Sequence, residues 1–119
     1  MGAQAAGYPL IPSGYVAGTI TISASQAGMP QQLLALIQAQ LDPNCPGAAR
    51  AFEIQAAAAT IYIGRQNLAG ALSPSNYGYE LVAGANKSYG SSFPGSNAPV
   101  GDLQVYMAAA GTFNVEVLA

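Results

Sequence analysis

Between Tyr15 and Ser23 the chain settles into alternation, with Ile20 and Ile22 on one face and Thr19, Thr21 and Ser23 on the other. A two-residue period of this kind predicts a half-buried strand, the first of the chain. From Met29 the period lengthens. Met29, Leu33, Leu34, Leu36, Ile37 and Leu41 gather on one broad helical face, and Gln31, Ala35, Gln38 and Ala39 lie opposite, which predicts a helix at about 29–41. Pro30 suits its first turn, and Pro43 disfavours helical geometry at Asp42, which sets its end. The outer face of this helix is Gln and Ala. Neutral amides can be covered without the desolvation penalty of an ion, so a partner-covered face and a plain surface helix both fit.

From Arg50 onward, alternation recurs at short intervals. Phe52, Ile54 and Ala56 alternate with Ala51, Glu53 and Gln55, and Ile61 and Ile63 with Thr60, Tyr62 and Gly64. Tyr79, Leu81 and Ala83 share a face, and Lys87 to Tyr89 has the length of a short strand. Leu103, Val105 and Met107 oppose Gln104 and Tyr106, and Phe113, Val115 and Val117 oppose Asn114, Glu116 and Leu118. The link Ala109-Ala110-Gly111-Thr112 between the last two segments has the length and composition of a hairpin. Many short strands, Gly/Pro/Asn turns and one helix predict a mainly β fold: an antiparallel β-sandwich or jelly-roll-like barrel. Residues 1–14 follow neither period and read as an extended N-terminal arm, leaving 15–119 as a single domain.

Charge sharpens this picture. Charged residues make up 7% of the 119 residues, against about a quarter in an average soluble domain, and none occurs before Asp42. A free monomer keeps charge on its exterior, so part of the first third is expected to be covered by its own fold or by partner subunits. The arm carries Tyr8, Leu10 and Ile11, unusually apolar for a free tail, and docking onto the body or a neighbour is the expectation there. With three basic residues in all, clustered phosphate neutralisation is out of reach and nucleic acid is not an expected partner. The longest strongly apolar run, Leu33 to Ile37, is far too short to span a bilayer. No basic and apolar leader precedes the body, so the expected site of synthesis is the cytoplasm.

Candidate chemistry is sparse. Without histidine the commonest general base and metal ligand is missing, and Cys45 alone makes neither an intrachain disulfide nor a thiolate zinc site. Cys45 reads as a small residue in a turn-rich loop. No cofactor is expected. Glu53 and Glu116 form a glycosidase pair only if the fold brings them together; as outer-face residues of two strands they need no such role. The segment before Ser88 lacks the glycines of a phosphate loop around Lys87. Seven tyrosines are present, densest at Tyr77-Gly78-Tyr79, where strand packing is favoured over a sugar-stacking platform.

The order of Arg50-Ala51-Phe52-Glu53-Ile54-Gln55, Thr60-Ile61-Tyr62-Ile63-Gly64, Tyr77-Gly78-Tyr79-Glu80-Leu81, Leu103-Gln104-Val105-Tyr106 and Asn114-Val115-Glu116-Val117 resembles small structural proteins of tailed-bacteriophage particles. The nearest in kind are the β-sandwich or jelly-roll decoration (cement) proteins of the capsid exterior. The resemblance covers about residues 50–118. It implies a non-enzymatic virion subunit, a homotrimer by preference, that binds across major capsid proteins and stabilises the head. Tyr8, Leu10, Ile11 and Tyr15 of the arm are then the expected partner interface. A tail or head-fibre component and a carbohydrate-binding sandwich module stand as alternatives.

Overall fold

The computed structural model describes residues 15–90 and 98–118. The expected sandwich is present, as two four-stranded antiparallel sheets. In chain order the elements are β1 (Val16–Ile22), β2 (Gln31–Gln32), α1 (Leu33–Gln40), β3 (Ala51–Ala56), β4 (Ile61–Arg65), β5 (Tyr79–Leu81), β6 (Asn86–Gly90), β7 (Leu103–Tyr106) and β8 (Gly111–Leu118). One sheet has the order β1-β8-β3-β6 and the other β2-β7-β4-β5. Strand β1 pairs with β8, β2 with β7, β3 with β6 and β4 with β5. The chain is thus one long folded-back hairpin wrapped into two layers, held in register by the β3–β8 and β4–β7 ladders. Eight strands so arranged form a double Greek key, the jelly roll.

The alternation places the core where the sequence predicts it. Ile20, Ile22, Phe52, Ile54, Ile61, Ile63, Leu81, Leu103, Val105, Phe113 and Val117 are buried between the sheets and belong to one continuous cluster. Burying each such side chain contributes about 1.5–3 kcal/mol before entropy is counted. Gly18 also faces inward, where a Cβ would stand 2.7 Å from Leu41 Cδ2, so the helix end closes on β1 only because this position has no side chain.

Four expectations need correcting. The helix is shorter than 29–41: Gln31 and Gln32 pair with Val105 and Gln104 as a two-residue strand, and helix begins at Leu33 with no side-chain cap. The free edge of β7 offers ladder hydrogen bonds that outweigh a weak local helix preference. Met29 accordingly leaves the apolar face and is 49% exposed. The hairpin expected between the last two strands does not form, because β7 and β8 lie in different sheets and Met107–Ala110 bridges the layers. A two-residue period marks a strand with one buried face; it does not say whether the next strand pairs beside it or stacks across the core. Finally, Ala83 does not share a face with Leu81, since β5 stops at Leu81 and Ala83 lies exposed in the turn that follows.

Gln38 of the outer helix face and Gln40 at the helix end both bond within the chain. Gln40 Oε1 accepts from the Thr21 amide at 2.7 Å and its Nε2 donates to the Thr21 carbonyl at 2.8 Å. Because β1 is the outermost strand of its sheet, this amide occupies the edge much as a neighbouring strand would. Gln38 Nε2 donates to the Cys45 carbonyl at 2.9 Å, which ties the following turn to the helix.

Candidate functional site

The jelly-roll wrapping brings four connections to one end of the molecule: 23–30 after β1, 57–60 after β3, 82–85 after β5 and 107–110 after β7. The register fixes this convergence, since Ile22 lies opposite Gly111, Ala56 opposite Phe113, and Ile61 opposite Leu81. Hydrogen bonds from the Gly28 amide to the Met107 carbonyl (2.8 Å) and from the Gly84 amide to the Ala56 carbonyl (3.1 Å) link neighbouring loops. Their sequences are Ser-Ala-Ser-Gln-Ala-Gly-Met-Pro, Ala-Ala-Ala-Thr, Val-Ala-Gly-Ala and Met-Ala-Ala-Ala, with no charged residue among them. Most of these residues are exposed. Met29 (49%) and Val82 (55%) project from this end, at opposite sides of the second sheet and about 14 Å apart by strand spacing. On α1, Ala35, Ala39 and Gln40 are exposed and uncharged.

The four loops carry no charge, although Glu80 and Lys87 flank the 82–85 connection on β5 and β6. Arg65 and Asp102 form an ion pair near the opposite end (Nη2–Oδ2 2.5 Å), where Arg50 also stands at the start of β3. Glu53 and Glu116 are directly opposed on the outer face of the first sheet. The fold does bring this pair together, yet each carboxylate is engaged: Glu116 accepts from the Tyr15 hydroxyl at 2.7 Å and Glu53 from the Asn86 side-chain amide. With Gln55 and Asn114 they line a shallow polar hollow of about 240 Å³.

Of the expected interface residues, Tyr8, Leu10 and Ile11 lie outside the described residues. Tyr15 is half-buried, and its hydroxyl lies over β8 toward Glu116. That bond to a carboxylate, then burial and the Glu116 charge, raise the Tyr15 hydroxyl above the usual tyrosine range.

Tyr77 and Tyr79 do not form one platform. Tyr77 stands on the outer face of the second sheet, 5.1 Å from Tyr62, which is also 6.2 Å from Tyr106 across the β4–β7 ladder. Glu80 flanks Tyr62 on the other side. Burial first, and then Glu80, raise the Tyr62 hydroxyl. Tyr79 points to the inner side with Lys87, whose Nζ is 4.9 Å from the Tyr79 ring and 5.3 Å from the Tyr89 ring. Tyr89 is raised by burial and by Tyr79 beside it.

Cys45 is 2% exposed and packed in the core, and burial, then Asp42, push its thiol up, away from reactivity. Among the described residues no group of three or more His, Cys, Asp or Glu is placed to hold a metal ion, and no helix is long and apolar enough to cross a membrane.

These features define the class: an eight-stranded jelly-roll sandwich with an uncharged loop end. No family model, curated protein or solved structure matches the chain.

Proposed function

We propose that this protein is a structural subunit of a virion, a capsid decoration protein that seats its uncharged loop end on the shell of major capsid proteins. The observation that carries the reading is the convergence of four charge-free loops with exposed Met29 and Val82. Docking such a surface strips no ion of water, and Ala and Gly lose no side-chain freedom on contact. A subunit that binds only the assembled shell stabilises that state by mass action. The proposal includes the homotrimer and the capsid exterior implied by the resemblance, and assigns the protein no catalytic role.

The test is co-sedimentation of purified protein with undecorated capsids of its own phage. Wild type pellets with capsids, and Val82→Asp or Ala109→Glu lowers binding at least tenfold while Glu80→Gln does not. Failure to pellet, or equal binding by the charged variants, would sink the reading.

A carbohydrate-binding module is the second reading, favoured by the Tyr62, Tyr77, Tyr106 and Glu80 cluster on an open sheet face. Tyrosine rings stack on sugar faces, and a carboxylate accepts from hydroxyls. Glycan-array hits lost on Tyr77→Ala and kept on Tyr79→Ala are its expected signature.

A further inference from the structure

The side of the sandwich between β5 and β6 opens into a groove of about 380 Å³ lined by Ile63, Gly64, Tyr79, Lys87, Tyr89 and Leu103, with Gly78, Arg65 and Pro99 at its borders. That volume lies in the range of small-molecule sites. Its floor is apolar: Ile63 and Leu103 are buried core residues. Tyr89 is held by stacking on Phe52, ring centroids 4.6 Å apart and 12° from parallel.

Lys87 gives the groove its chemistry. It lies opposite Ile54 in the β3–β6 ladder and therefore points between the sheets, where its ammonium faces the Tyr79 and Tyr89 rings. Ring faces attract a cation but offer its three N–H donors no conventional acceptor. The neighbouring cation, Arg65, is already committed to Asp102 through Nε (2.7 Å) and Nη2. The groove thus presents one positive charge, in mainly apolar surroundings. An inward lysine on an outermost strand also discourages edge-to-edge association, but that role requires neither two flanking rings nor a groove of this size.

We propose that this groove binds a small organic mono-anion with an apolar body, an aromatic or branched carboxylate or sulfonate, whose acidic group is held by Lys87 and whose body packs between Tyr79, Tyr89 and Leu103. The shape fits one or two rings, and the charge-assisted hydrogen bond to the ammonium supplies the selectivity for an anion. The groove lies between the two strands that the 82–85 connection joins, and binding in it needs no docked partner.

The test is fluorescence titration of the full chain with 8-anilinonaphthalene-1-sulfonate and with N-phenyl-1-naphthylamine, the same skeleton without the sulfonate. Saturable one-to-one binding of the sulfonate, at least tenfold tighter than the neutral probe, is expected. Amide shifts in the wild-type ¹⁵N spectrum should then cluster at Gly64, Gly78, Lys87 and Tyr89. Lys87→Met should lower sulfonate affinity at least tenfold and leave the neutral probe unchanged, with Lys87→Arg restoring part of the loss. Equal affinity for the two probes, shifts that map elsewhere, or an unchanged Lys87→Met titration would overturn the proposal. So would displacement of the sulfonate by glucuronate as readily as by benzoate, which would mean a polar sugar acid fits as well as an apolar one. The two-probe comparison needs no variant, so a poorly folding Lys87→Met leaves the proposal fully testable.

Discussion

Replacing Gln40 by Met tests whether a side-chain amide seals the outer edge of β1. Methionine matches glutamine in length and in helix preference, so α1 itself is undisturbed. What disappears is the pair of hydrogen bonds to the Thr21 amide (2.7 Å) and carbonyl (2.8 Å). Each such bond is worth about 0.5–1.5 kcal/mol net. Because Gln40 is exposed, water replaces part of the loss, and a total of about 1–2 kcal/mol is expected. For a domain of this size that lowers the melting temperature by about 4–8 °C. The urea midpoint should fall with an unchanged slope, since the surface exposed on unfolding is the same. The second consequence is kinetic: with Thr21 unpaired, β1 offers a free edge, and static light scattering should show concentration-dependent growth in mass relative to wild type. A stability change below about 0.3 kcal/mol together with an unchanged mass would refute the idea that Gln40 guards this edge.

Gly90→Ala should destabilise by roughly 2–5 kcal/mol, read by urea unfolding, because φ is +77° there and a Cβ would run into the Arg50 carbonyl and Ala98. Glu116→Gln should raise stability by about 0.2–1 kcal/mol at low salt, read as a higher urea midpoint, since it removes a like charge directly opposite Glu53 while keeping an acceptor for Tyr15; the gain should fade in 1 M salt. The raised hydroxyls of Tyr15, Tyr62 and Tyr89 mean that the folded state holds protons the unfolded chain releases. Their contribution is complete below the ordinary tyrosine value of about 10 and is lost as pH climbs through the folded values. The urea midpoint should therefore fall as pH rises above about 10, less steeply in Tyr15→Phe.

The strands were legible because alternation is a local signal: Phe52, Ile54 and Ala56 are buried as their period requires, as are Phe113, Val115 and Val117. Which strand sits in which sheet was not, because pairing joins distant residues. Leu103–Tyr106 and Gly111–Leu118 follow one another closely in sequence yet belong to different layers. The same non-locality hid the purpose of the glutamines. Gln40 belongs to neither face of the helical pattern, and its role shows only when Thr21, far away in sequence, is placed beside it. A pleat would have kept Tyr77 and Tyr79, two residues apart, on one face; they are divided because β5 begins only at Tyr79 and the chain bends at Gly78 before it. The charge-free loop end lay half-visible: each connection is Ala- or Ser-rich between alternating segments, but only the jelly-roll wrapping brings all four to one end. It also narrows the meaning of the uncharged opening third, much of which is core strand, sealed edge and helix.

On the proposed function, the uncharged end is the face that docks. A cryo-EM reconstruction of capsids decorated with the purified protein reads it directly. Density for the jelly roll is expected with the loops 23–30, 57–60, 82–85 and 107–110 against the shell and with Arg65 and Asp102 facing outward. Density with the Arg65–Asp102 end against the shell, or capsids left bare, would contradict it.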